Sequence, residues 1–204
     1  MMGGSVGRIT LGITDDEVAL GSHLLHFWQN DEEFERGVHF LELGLMTDSQ
    51  YCVLFGDDDA NRRVLGILRN KYSRLDDMVR AGRIAVLRRD SSAHVTLARI
   101  DAAFGAAMQK GAAAIRYLGN LGLGQAPLPG RGADEVIEIE AGATPLAARY
   151  PCVMVCMYDV NTVSGRLLLN AGFGAHAQAV CGHVLQQNPR FDPGGEASST
   201  SSAA

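Results

Sequence analysis

The sequence predicts an α/β domain built on a mostly parallel sheet, with helices on both faces. Three observations lead there. Short strand-like apolar runs alternate with amphipathic helical stretches along nearly the whole chain. One of the strands, "CVMVCMYD", is apolar almost throughout, as a strand covered on both faces tends to be. With 204 residues and 47% hydrophobic residues, the chain is long enough for one sizeable core.

In chain order, "SHLLHFW" reads as the first strand. "DEEFERGVHFLELGL" follows as a helix, with Phe34, Val38, Leu41 and Leu45 at helical spacing and Asp31 as its N-cap. "YCVLFG" is the second strand and "DANRRVLGILRNKY" the second helix. "RIAVLRR" is a third strand. A long helix, "HVTLARIDAAFGAAMQKG", closes at Gly111. "AAIRYLGNLG" is a fourth strand running into a glycine-rich loop, and "GADEVIEIEAGATPLAARY" is helical. "CVMVCMYD" is the fifth strand, "VSGRLLLNAG" a short helix, and "QAVCGHVLQQN" a single last strand. Residues 1–192 are expected to form one domain. Residues 193–204, "PGGEASSTSSAA" after Asp192, hold no large apolar side chain and are expected to be disordered or a linker.

Composition narrows the function. The net charge is -5 and no basic run occurs, so the electrostatic footprint of a nucleic-acid binder is missing. No apolar run approaches the ~18 residues of a membrane span, and no leader-like segment opens the chain; a cytoplasmic protein with reduced cysteines is the expectation. The turn after "YCVLFG" has the strand–glycine–helix form of a phosphate site. It is filled by Asp57, Asp58 and Asp59, and no Lys or Ser/Thr opens the helix. Three carboxylates suit the helix dipole and would repel a triphosphate. This turn is therefore read as acidic helix capping, with a divalent-cation site as the alternative.

Taken together, "LGSHLLHFW", "FLELGLMTDSQYCVLFGD", "VMVCMYDVNTVS" and "NAGFGAHAQAVCGHVLQQNPRF" resemble the MEDS domain, a sensory domain named after methanogens, methylotrophs and the dichloromethane regulator DcmR. The resemblance implies a RecA/KaiC-like P-loop fold with a degenerate phosphate loop. It also implies a non-catalytic input module of prokaryotic signalling that senses small hydrocarbon-like molecules. A kinase or transcription regulator is the implied partner, without direct contact to nucleic acid or membrane; a homodimer is compatible with it. Two other readings remain open: a module that only docks to a signalling protein, and a nucleotide-hydrolysing enzyme of the same fold.

Ligands of open α/β sheets bind at the carboxyl ends of the strands. The candidate ligand site is accordingly His23, Phe27, Trp28, Asn120, Cys156, Tyr158 and Asp159. His23 and His26, three apart on a strand, face opposite sides and make a poor chelating pair. Cys152 and Cys156 share a face but are too far apart for one ion. Cys181 and His183, read as one strand face, would need His23 or Cys52 to complete a zinc site. With no paired Cys-x-x-Cys or His-x-x-x-His unit, neither a metal nor another cofactor is expected. Glu135, Glu138 and Glu140 are read as a solvated helix face. No catalytic constellation appears in the sequence.

Overall fold

The structure is a computed structural model and describes residues 7–89, 92–120 and 132–191. The elements run β1 (Arg8–Thr10), β2 (Glu17–Ala19), β3 (Ser22–Trp28), α1 (Asp31–Leu45), β4 (Gln50–Gly56), α2 (Asp58–Lys71), α3 (Leu75–Arg80) and β5 (Ile84–Arg88). They continue with α4 (Ala93–Gln109), β6 (Ala114–Asn120), α5 (Gly132–Ala147), β7 (Cys152–Asp159), α6 (Gly165–Leu167), a π-helical turn over Leu168–Phe173, β8 (Gln178–Cys181) and β9 (Val184–Gln187).

The main sheet has seven strands in the order β5-β4-β6-β7-β3-β8-β9. Every pairing in it is parallel except β8–β9. β6 and β7 are buried along nearly their whole length, because helices cover both faces. The period of two then sorts side chains between two cores. On one face Leu24, Val153, Val155 and Met157 pack with Phe34, Val38 and Leu41 of α1 and Val64 and Leu68 of α2. On the other, Leu25, Met154, Cys156 and Tyr158 pack with Ile100 and Phe104 of α4 and with Val136, Ala143 and Leu146 of α5.

Two features differ from the sequence reading. The last expected strand is a hairpin: Gly182, at φ +61°, turns the chain between β8 and β9, so Cys181 and His183 do not share a strand face. The antiparallel pair β1–β2 and the short α3 were not anticipated. The expected tail from residue 193 and most of the glycine-rich segment after Asn120 lie outside the described residues.

Both strand-to-helix junctions at the carboxyl ends of β3 and β4 are acidic. Asn30 caps α1 through the Glu33 N–H, Glu33 returns a bond to the Gln29 N–H, and Asp31 and Glu32 complete the first turn. After β4, Asp57 precedes α2; Asp58 pairs with Arg88 at 2.7 Å and Asp59 with Arg62 at 2.6 Å.

Candidate functional site

β3 and β7 are neighbours with His23 opposite Met154 and Leu25 opposite Cys156. His23 and Cys156 are thus diagonal neighbours on the sheet face that α5 covers. The His23 Nε2 atom lies 3.3 Å from the Cys156 Sγ. α5 lays Glu140 over this pair. Val136, Ile139, Ala143 and Leu146 form its buried stripe, and Glu140 sits inside that stripe, 1% exposed. Its Oε2 is 3.2 Å from the His23 Nε2 and 3.2 Å from the Cys156 Sγ. Its Oε1 accepts the Tyr158 hydroxyl at 2.8 Å.

The fourth member is His176, supplied by the turn after the π-helical segment. That segment directs the Gly172 and Ala171 carbonyls at the His176 Nδ1, at 2.7 Å and 3.2 Å. The Nδ1 therefore carries the proton, and the Nε2 presents a lone pair. This Nε2 is buried without a hydrogen-bond partner and points toward the Glu140 Oε2 at 3.5 Å. His23 is held the same way. The Thr144 hydroxyl gives its hydrogen to the Ala175 carbonyl at 2.7 Å, so its oxygen accepts from the His23 Nδ1 at 3.0 Å. The two imidazole rings lie 4.0 Å apart, tilted by 43°.

Electrostatics follow from burial. Burial and the neighbouring His23 push His176 down to about 4, so it is neutral at neutral pH. Burial also pushes the Cys156 thiol and the Tyr158 phenol well above their ordinary ranges, with Glu140 adding to both. For Glu140, burial alone favours the acid form. The nearby His176 and His23 and the Cys156 bond act the other way and draw the carboxyl down to about 2. A neutral His176 attracts the carboxylate little, so its ionised form depends chiefly on its two donors, the Cys156 thiol and the Tyr158 hydroxyl.

The structure brings together three of the sequence-predicted residues, His23, Cys156 and Tyr158. Phe27 is on the same face, farther along β3, with its ring 5.7 Å from that of Phe173. Trp28 is not in the group: it faces the other core, edge-on to Phe34 at 5.0 Å and under the Arg63 guanidinium. Asn120 closes β6 opposite Gly56 and Met157. Asp159 accepts from the Asn161 N–H and shapes the turn after β7. His26 lies on the opposite face from His23 and donates from Nε2 to the Glu33 carbonyl. Cys52 bonds the Leu41 carbonyl in the other core, Cys181 is exposed, and His183 meets Arg36, so none of these reaches His23. Glu140 corrects the solvated-face reading: Glu138 on the same helix is exposed, but Glu140 is fully buried. Sequence reasoning also missed His176 and Thr144. Glu140 carried a usable signal, its place in the apolar stripe of α5.

The sequence matches the family described as MEDS, the methanogen/methylotroph DcmR sensory domain, over residues 22–173. The chain belongs to the MEDS family. The matched span contains His23, Glu140 and Cys156 and stops just short of His176. No curated protein matches the chain. Among solved structures, the MEDS domain is similar to a KaiC-like protein from the hyperthermophilic archaeon Pyrococcus horikoshii OT3. The TM-score is 0.59 at 12% identity, over 86% of this chain and 80% of that one. At that identity the likeness carries the fold alone, a RecA/KaiC-like α/β architecture. Among the described residues, no helix is long and apolar enough to cross a membrane.

Proposed function

We propose that this MEDS domain is a non-catalytic sensory module of prokaryotic signalling, which responds to a small hydrocarbon-like molecule and acts on a kinase or transcription regulator. The observation that supports this reading most is the double role of α5. Its inner side carries Glu140 and Thr144 into the buried polar group. Its outer side forms, with α4, a cleft of about 390 Å³. Leu97 and Ala98 of α4 face Gly142 and Pro145 of α5 there, and Asp101 and Arg149 give the cleft a polar end, 3.1 Å apart. An apolar cleft with few polar groups suits a small, weakly polar ligand. A ligand seated there would bear on the helix that completes the buried group, and would favour one position of α5 over another.

Thermal melting against short alcohols and halomethanes at low millimolar concentration tests the reading. A ligand at 100 times its Kd stabilises by about 2.7 kcal/mol, a rise of roughly 5–10 °C for a chain of this size. Ala98→Phe, at an exposed cleft position, should fill the cleft and abolish the rise with little change in unliganded stability. If no compound moves the wild-type transition the ligand class is wrong, and if the rise survives Ala98→Phe its place is wrong.

A further inference from the structure

We propose that His23, Glu140, Cys156 and His176 form a closed binding site for one divalent transition-metal ion, with zinc the best match to the donor set. Each of the four offers one ligand atom, and all of these atoms lie within 4.8 Å of one another. A tetrahedral ion bound at roughly 2.0–2.3 Å sets its ligand atoms roughly 3.3–3.6 Å apart. Of the six separations among the inward atoms, four are 3.3, 3.2, 3.2 and 3.5 Å, the two to sulfur (3.3 and 3.2 Å) a few tenths of an ångström shorter than a bound ion would set, and all six are within 4.8 Å.

Proton counting points the same way. With each imidazole proton held on Nδ1 by an acceptor, both Nε2 atoms turn lone pairs inward. The Glu140 Oε2 adds another acceptor. The Cys156 thiol then brings the one hydrogen available to four inward-facing atoms. Acceptors crowded at hydrogen-bond distance with one donor among them, in the dry interior, are poorly satisfied, and the His176 Nε2 has no partner at all. A divalent cation satisfies all four. On binding, the Cys156 S–H bond breaks, the sulfur pair goes to the metal and one proton leaves to solvent. The Glu140 oxygen and the two Nε2 lone pairs bind as they stand. The ion with one thiolate and one carboxylate then sums to zero charge, the state that complete burial favours.

The surroundings are those of a metal ligand shell. His23 is oriented through Thr144, His176 by two backbone carbonyls, and Glu140 by the Tyr158 hydroxyl. Four protein donors leave no place for water, so the site is of the structural kind, joining β3, β7, α5 and the turn after the π-helical segment. The mixed set of nitrogen, sulfur and oxygen suits zinc, cobalt or ferrous iron, whereas magnesium and calcium take oxygen ligands. The inference does not depend on the hydrocarbon-like ligand, since metal content is measured without it.

The test is elemental analysis of the purified chain, followed by chelation and titration with cobalt(II). About one equivalent of metal per chain is expected. The cobalt form should show tetrahedral d–d absorption and a thiolate-to-cobalt charge-transfer band, with one proton released per ion. Cys156→Ser should lose the charge-transfer band, and His176→Ala should weaken binding more than tenfold. Cys152→Ser, on the same strand face but bonded to the Ala147 carbonyl outside the group, should bind as wild type does. If the variants fail to fold, the wild-type cobalt spectrum decides. Folded wild-type protein that takes up well under one equivalent and shows no thiolate band overturns the proposal. So does metal retained undiminished by folded Cys156→Ser and His176→Ala.

Discussion

Tyr158→Phe isolates one bond in the buried group. The hydroxyl of Tyr158, fully buried, donates to the Glu140 Oε1 at 2.8 Å, and the phenol's raised pKa keeps it a donor at any working pH. Removing that oxygen keeps the ring and its edge-on contact with His176 at 6.3 Å. What is lost is one bond to a charged acceptor that has no water to replace it. Such bonds contribute about 1.5–3 kcal/mol, and the dry site places this one in the upper half of that range. About 2–3 kcal/mol corresponds to a fall in Tm of roughly 5–10 °C for a domain of this size. Urea unfolding followed by circular dichroism should give that difference in midpoint at an unchanged slope. A double-mutant cycle with Glu140→Gln then tells whether the hydroxyl acts through the carboxylate. A loss under about 0.5 kcal/mol would refute the reasoning. An equal loss in the Gln background, where the amide oxygen still accepts, would show that the carboxylate's charge adds nothing to the hydroxyl's worth.

Three further outcomes are expected. His26 is held near 4 by burial, against an ordinary 6.5, with Arg36 and Glu33 beside it acting in opposite directions and its Nδ1 without a partner. The unfolded chain therefore takes up the proton first. The His26 contribution is complete above pH 6.5 and falls by about 3 kcal/mol as pH drops to 4, so urea midpoints of wild type should decline across that window more steeply than those of His26→Leu. Gly56→Ala would put a Cβ 2.0 Å from the Asn120 carbonyl oxygen and should cost about 3 kcal/mol. Gly66→Ala, with nothing within 4 Å, should stabilise α2 by about 0.5–1 kcal/mol; equal effects of the two in thermal melts would contradict the packing argument. ATP and GTP should show no calorimetric binding at low millimolar concentration with or without magnesium, given the carboxylates at both helix starts; micromolar affinity would reverse that reading.

The alternation of strand and helix was legible because each element carries its own period, and the uniformly apolar "CVMVCMYD" stands at the centre of the sheet as β7. The hairpin at Gly182 was not: β8 and β9 are four residues each, too short for either to show a pattern, and together they read as one strand. The buried polar group was half legible. His23, Cys156 and Tyr158 sit on strands whose ends could be placed. Glu140 and His176 arrive from a helix and a turn, and nothing in local spacing joins residues 23, 140, 156 and 176. Metal-ligand spacing rules depend on pairs close in sequence, and this group contains none. Trp28 was misjudged for a simpler reason: a strand's carboxyl end has two faces, and parity with Leu24 rather than His23 puts Trp28 on the other one.

β3 comes first among the strands of the main sheet, yet its two neighbours are β7 and β8. On a growing chain its backbone donors and acceptors have no partner until residues 29–151 have been made. At roughly 5–20 residues per second that wait is on the order of 10 s. Throughout it, "SHLLHFW" is an open-edged apolar segment of the kind that recruits other chains. The strand that carries His23 is thus the earliest made of the main sheet and among the last secured, and the buried group closes only when the C-terminal third docks around it. Nascent-chain stability should rise late and abruptly, and any shortening of the chain before His176 should leave β3 exposed along the edge that β8 covers.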